Sequence, residues 1–348
     1  MNSSYTQQSK VIQQRLQHVS ETVSIFINSL LIYLIIKKSP SKLGPYKYLM
    51  IYISVFEMLY SLADFLVSPI FYSYGPALIV IVNLNESFFG KSVSYILLCV
   101  YSGFFGSSMA IFGIHFIYRY LVASGHPLLG TFYTWKIVLW LLFPIFYGVI
   151  WGLGSYFPCA PTEYTNEFVK KDVLDNYGLS LDEIVYFGLH FYGKNDKGEI
   201  FIVYQQIVGV IVNCFIINSS LFTAFYFGIK CYRKINDLAS QISAKNKSLQ
   251  SQFFYALVIQ TLIPIVLMHI PVTIIYSFAF MGYGMGTICG IASITISMYP
   301  AFDPLPTVFI IKNYRNAVLN WFSCGTKVNQ APSAVPSGKM DLRNPNGT

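Results

Sequence analysis

The sequence predicts an all-α membrane protein: a bundle of seven membrane-spanning helices, N-terminus outside, with a short amphipathic helix after the last span. Three observations predict it. Of 348 residues, 54% are hydrophobic and only 11% charged, whereas a soluble domain carries about 25% charged residues. Seven stretches are long and apolar enough to cross a hydrocarbon core of about 30 Å, which takes roughly 20 residues rising about 1.5 Å each. Sixteen lysines and arginines fall on one side of those stretches and seven on the other, so the richer side is cytoplasmic. Ten acids, from Glu21 to Glu199, are assigned to the poorer side. The net charge of +8 is therefore topological and faces anionic lipid, and it calls for no nucleic-acid partner.

Residues 1–18 are polar, with Lys10 and Arg15, and lack the apolar centre of a cleavable signal, so they read as an extracellular N-terminus. The membrane domain, residues 19–311, holds spans at about 19–36, 48–72, 93–118, 135–157, 200–229, 253–280 and 282–311. The run Pro76 to Val82 is too short to span and reads as a loop. After the seventh span, Tyr314, Ala317, Val318, Trp321 and Phe322 recur on one helical face, which predicts a membrane-surface helix over 312–324. Residues 325–348, rich in Ser, Pro, Asn and Gly, read as a disordered cytoplasmic tail. No internal repeat suggests a transporter built from two halves.

Ionisable side chains inside hydrocarbon are costly unless they face the bundle interior, so each is a functional candidate. Asn28, Glu57 and Asp303 lie at one depth, roughly 12 to 13 Å above the cytoplasmic edge of spans one, two and seven. Asp64 follows Glu57 by nearly two turns and faces the same side. The four form an intramembrane polar cluster that reads as a structural hydrogen-bond network, an activation switch or a cation site, and these readings are compatible. Pro264 and Pro271 predict a kink in span six, and Pro300, Pro304 and Pro306 open backbone carbonyls around Asp303.

Arg119 ends span three within His115-Phe116-Ile117-Tyr118-Arg119-Tyr120. It reads either as an anchoring arginine that snorkels to the headgroups or as a contact for a cytoplasmic partner. Cys99 and Cys159 both fall at the outer edge, where an oxidising compartment allows a disulfide. Cys324 is a candidate for palmitoylation or a free thiol. Asn2 and Asn85 match the N-glycosylation triplet on outer segments, although the triplet also recurs on inner ones. No metal or cofactor site is expected, because the chain has no C-x-x-C and no Cys/His spacing suited to zinc. Phosphate loops, zinc-protease motifs and nucleophile elbows are also missing, so nothing in the sequence supports an enzyme.

Five ordered strings carry a resemblance: Leu43-Gly44-Pro45-Tyr46-Lys47-Tyr48-Leu49-Met50; His115 to Tyr120; Thr162-Glu163-Tyr164-Thr165; Ala256-Leu257-Val258-Ile259-Gln260-Thr261-Leu262-Ile263-Pro264; and Tyr299-Pro300-Ala301-Phe302-Asp303-Pro304-Leu305 followed by Ile310-Ile311-Lys312-Asn313-Tyr314-Arg315. From about Val11 to Phe322 the chain resembles the nematode seven-transmembrane chemoreceptors of the Str class. That resemblance implies a multi-pass olfactory receptor of the plasma membrane, in the cilium of a sensory neuron, with a small-molecule odorant, a heterotrimeric G protein and membrane lipid as partners. It implies that Arg119, Tyr118, His115, Pro264, Asp303 and Pro304 belong to the coupling and switching machinery. Tyr118 stands where receptors of the rhodopsin type carry an acid, so a resting ion pair with that neighbour is unavailable to Arg119. From depth alone, Phe105, Ser108, Gln205, Asn213, His269 and Tyr276 are expected to line the ligand pocket. The alternatives are a ligand-gated cation channel, disfavoured by the outside N-terminus, and a small-molecule transporter.

Overall fold

The computed structural model describes residues 2–40, 43–194, 197, 199–237 and 244–324. Seven stretches of helix among them are long and apolar enough to cross a membrane. Six are α1 (Asn2–Lys38), α2 (Tyr46–Val67), α3 (Lys91–Ser124), α4 (Ile137–Tyr156), α6 (Tyr204–Asp237) and α7 (Ala244–Pro264) continued by α8 (Ile270–Phe280). The seventh is α9 (Gly290–Phe302) with α10 (Pro304–Ile310), followed by α11 (Lys312–Cys324). α5 (Glu163–Tyr177) lies in the outer loop after the fourth span, with Thr162 capping its first turn. Large apolar side chains such as Phe26, Phe146, Phe215 and Phe222 point outward and exposed, as a hydrocarbon surround requires.

α3 is the central post, and glycine decides how closely α4 approaches it. A Cβ on Gly103 would stand 2.8 Å from the carbonyl oxygen of Gly148, and one on Gly148 would stand 2.1 Å from Ser107 Oγ. Gly148 and Gly152 are four residues apart on α4 and let the two backbones touch, the small-residue packing that replaces hydrophobic driving force between helices in lipid. Ser107 Oγ uses that closeness to donate to the Pro144 carbonyl at 2.9 Å.

The helix ends depart from the sequence expectation where local chemistry overrides hydropathy. Span two stops at Val67, not Tyr72: Ser68 takes a left-handed conformation (φ 43°) before Pro69, and residues preceding proline resist the helical region. The chain then forms β1 (Ile70–Tyr74), β2 (Ala77–Asn83) and, much later, β3 (Ile184–His190), an antiparallel sheet with β2 in the centre. The run read as a loop is thus a central strand. Leu78, Val80 and Val82 pack with the bundle, while Ala77, Ile79 and Ile81 pack with Val169 and Val173 of α5. A strand buried on both faces is a continuous apolar run without alternation, and length alone cannot distinguish it from a short loop.

β4 (Tyr192–Lys194) and β5 (Ile200–Ile202) form a small hairpin, so the fifth span begins at Tyr204 and runs two turns past the expected end. Residues assigned to a polar N-terminus are helical from Asn2, continuous with span one. Lys10 Nζ reaches the Tyr177 carbonyl at 2.9 Å and Gln14 donates to Glu86, tying this extension to the outer loops. In α11, Tyr314 is buried and its hydroxyl meets Ser39 Oγ at 2.7 Å. Residues 325–348 and the side chains of Asn2 and Cys324 lie outside the described set.

Candidate ligand cavity and inner switch

Beneath the sheet, the outer halves of the spans enclose a cavity of about 40 Å³. A water molecule needs about 10 to 15 Å³ by the same measure, so the space suits a molecule of a few heavy atoms. Its roof is Phe71, Leu78, Val80, Phe187 and Leu189 from the three strands; its walls include Tyr101, Phe105, Trp151, Asn213, Val272 and Tyr276. Few polar groups face it. Ser102 and Ser155 satisfy each other at 2.6 Å, whereas Asn213 Oδ1 has no partner. Of the six residues expected from depth, Phe105, Asn213 and Tyr276 line the cavity. His269 stands behind Phe105, ring centroids 4.8 Å apart, and Ser108 spends its hydroxyl on the Phe105 carbonyl at 2.8 Å. Gln205 is exposed and donates to the Phe157 carbonyl instead, because it lies at the rim of α6. Trp151 and the sheet residues went unforeseen, since no depth argument selects a half-exposed tryptophan or a loop.

Span six is interrupted beside that cavity. After Pro264 the helix widens into a π turn, Ile265–His269, closed by Ile270 N donating to the Ile265 carbonyl. Proline cannot donate to the carbonyl four residues back, and the wider turn recovers part of the lost bonding. Span seven breaks at Asp303, between Pro300 and Pro304. Pro304 leaves the Pro300 carbonyl without its helical donor, and Asn28 Nδ2 supplies one at 3.0 Å. Gln260 Nε2 donates to Asp303 Oδ2 at 2.9 Å and Thr307 Oγ1 donates to Gln260 Oε1 at 2.9 Å. Glu57 is within hydrogen-bonding reach of Asp303 and Asn28. Asn28, Glu57 and Asp303 therefore form one buried network that joins spans one, two, six and seven, and Gln260 is the member the sequence reading missed. An amide inside an otherwise apolar stretch was the available signal.

Asp64 does not belong to that network. It faces Glu21, which the charge count had placed outside the membrane but which is 2% exposed in the wall of α1. Two turns of α2 displace Asp64 toward the outer surface by about 10 Å, too far for one hydrogen-bonded group.

At the inner end, Arg119 is 3% exposed. Its guanidinium lies 3.6 Å from the Tyr46 ring centroid and 4.5 Å from that of Phe253, and Nη1 donates to Gln250 Oε1 at 3.1 Å. Tyr118 stacks on Tyr46 (5.2 Å), and His115 Nδ1 stands 3.2 Å from the Tyr46 hydroxyl. An aromatic cage thus holds the arginine, and it clamps the inner end of α3 to those of α2 and α7. The snorkelling expectation fails for this conformation, since the guanidinium turns into the protein. Cys99 and Cys159 are both buried, unbonded thiols beside Tyr95. Asn85 is exposed, with its amide donating to Glu183 Oε1 at 3.1 Å.

Residues 13–319 match the family model described as serpentine type 7TM GPCR chemoreceptor Str. The G-protein coupled receptor str-217 of Caenorhabditis elegans is 35% identical over 314 residues, covering 89% of this chain and 90% of that protein. Serpentine receptor class r-10 of the same organism is 29% identical over 309 residues, covering 89% and 90%. Squid rhodopsin superposes with a TM-score of 0.56 at 12% identity, over 95% of this chain and 94% of that one.

Proposed function

Because the chain belongs to the serpentine Str family of seven-transmembrane G-protein-coupled chemoreceptors, we propose that it is an olfactory receptor for a small, volatile, largely apolar ligand. The receptor is a multi-pass membrane protein and no enzyme; the ligand class, the G protein and a place in a sensory cilium belong to the proposal. The observation that carries the reading is the small roofed cavity whose inner wall, Phe105, rests on His269 in the π turn of span six. A ligand stabilises whichever state it binds better. An occupant that presses on Phe105 favours a different setting of the π turn. Movement of α7 then withdraws Phe253 and Gln250 from Arg119 and opens the inner ends of the bundle to a heterotrimeric G protein. Asn213 orients the ligand through its open carbonyl oxygen, and apolar contacts supply most of the affinity.

Calcium imaging of cells expressing the chain against a panel of small volatile compounds tests the reading. An active compound whose potency falls about tenfold or more with Asn213→Leu supports it. Activators that are all too large for the cavity, or that act equally on Asn213→Leu and Phe105→Ala, would overturn it.

A further inference from the structure

A second recess opens on the lipid side of the bundle, between spans three, four and five, and has no part in the ligand reading. It has a volume of about 440 Å³, in the range of ligand sites, and its walls include Leu139, Trp140, Phe143, Tyr147 and Thr223, with Lys136 at the mouth. Lys136 immediately precedes α4 at the cytoplasmic edge, and Tyr147 lies three turns along that helix, about 16 Å deeper. The recess thus runs from the inner edge to the middle of a hydrocarbon core about 30 Å thick, which is the depth of one leaflet. Its polar atoms are satisfied within the protein. The Tyr147 hydroxyl meets Ser219 Oγ at 3.2 Å, Thr223 Oγ1 donates to the Ser219 carbonyl at 2.8 Å, and Trp140 Nε1 donates to Thr131 Oγ1 at 2.9 Å. Lys230 of α6 follows Thr223 by two turns on the same face, toward the cytoplasm, and like Lys136 it is exposed. Among the described residues, neither lysine has a carboxylate partner. An occupant therefore meets apolar walls and a positive mouth.

A recess in the side of a membrane protein is filled from the bilayer, and two cations at headgroup depth choose among its lipids. We infer that this one holds an acyl chain of an acidic phospholipid of the inner leaflet, with the headgroup phosphate against Lys136 and Lys230. Basic pockets between spans on the cytoplasmic side suit such headgroups, and lysine meets a phosphate as a point charge. A neutral sterol would fill the walls equally well but bring nothing to the lysines. The chain would also lie against the arginine cage at one remove. Trp140 stacks on Phe132 at 4.9 Å, Phe132 meets Tyr118 edge-on at 5.0 Å, and Tyr118 stacks on Tyr46, the ring beneath Arg119. A chain packed on Trp140 steadies these rings in their present setting and so favours the caged arginine; this last step rests on the proposed function.

Native mass spectrometry of the purified full-length receptor, titrated with phosphatidylserine or phosphatidylcholine, tests the site without any odorant. The parent should retain phosphatidylserine in preference to phosphatidylcholine. Lys136→Gln and Lys230→Gln should each weaken that retention about fivefold. Leu139→Trp enlarges an exposed lining residue, so it strains no core packing, and it should abolish retention with both lysines in place. Lys47→Gln, at an exposed lysine on the inner end of α2, should leave retention unchanged. Equal retention of the two lipids, or retention that survives Leu139→Trp, overturns the site. So does an equal loss in Lys47→Gln, because diffuse leaflet charge then explains the attraction, and so does displacement of phosphatidylserine by equimolar cholesterol or oleate. Basal nucleotide exchange should be lower in lipid discs that contain phosphatidylserine, and Phe132→Leu, which breaks the ring stack outside the recess, should remove that difference. A difference that survives Phe132→Leu overturns only the coupling to the cage.

Discussion

Replacing Tyr46 by leucine should activate the receptor without ligand. The ring lies 3.6 Å under the Arg119 guanidinium in a place 3% exposed, and a desolvated cation–π contact is worth about 2 kcal/mol. That contact exists only while α2 and α3 keep their present setting. Losing it from the resting state alone shifts the resting-to-active ratio by about 30-fold, since about 1.4 kcal/mol is a factor of ten. A receptor that is 0.1% to 1% active at rest, within the usual range of a minor state, would become several to about 25 per cent active. Tyr46→Phe keeps the ring and removes only the hydroxyl that faces His115 at 3.2 Å, so it should stay near the parent. The assay is basal guanine-nucleotide exchange in membranes, normalised to surface receptor. Unchanged basal exchange in well-expressed Tyr46→Leu, or equal activation by Tyr46→Phe, would refute the idea that the cage restrains the resting state.

Other expectations follow from separate parts of the molecule. Glu57→Gln and Asp303→Asn should be non-additive in receptor stability by about 0.5 to 3 kcal/mol because they share one network, while Glu57→Gln and Asp64→Asn should add; a thermal double-mutant cycle decides it. Gly148→Val should lower the melting midpoint strongly or abolish surface expression, since its first carbon would collide with Ser107 Oγ and the Gly103 carbonyl. His190 is fully buried between Tyr164 and Phe168, and burial holds its pKa down to about 4 from an ordinary 6.5. The unfolded chain therefore takes up a proton first, so the outer sheet should be fully stable above about pH 6.5 and weaken as pH falls toward 4. His190→Phe should flatten that dependence in amide hydrogen exchange of β3.

What the sequence made legible is the part the bilayer dictates. Span number, orientation and the buried depth of Asn28, Glu57 and Asp303 follow from hydropathy, charge asymmetry and a fixed rise per residue. The outer sheet was invisible because β2 and β3 pair across about a hundred residues, and nothing local in Ala77 to Asn83 announces a partner that distant. Glu21 was misplaced because the polar residues before it suggest water, whereas α1 continues outward and buries that face against α2. The caging of Arg119 depends on Tyr46 and Phe253, aromatic residues far apart in the chain, so its charge was legible and its company was not. Half of the pocket residues chosen by depth reach the cavity, because depth fixes height along a helix while the side-chain direction also depends on how each helix is rotated.

For a ligand held in the proposed cavity, the sheet above it separates how tightly the ligand is bound from how fast it arrives and leaves. β2 is bonded on both edges and covered by α5 on its far side, so the roof cannot part without breaking ladder hydrogen bonds and uncovering apolar surface. If passage requires a rare opening, the rates of entry and escape both scale with the fraction of time the roof is open, while their ratio does not. Changes that loosen the rim, at Gln14–Glu86 or Lys10–Tyr177, would then alter the onset and decay of a response and leave its half-maximal concentration in place. On that proposal, sequence variation at the outer end of α1 would retune temporal filtering without retuning selectivity.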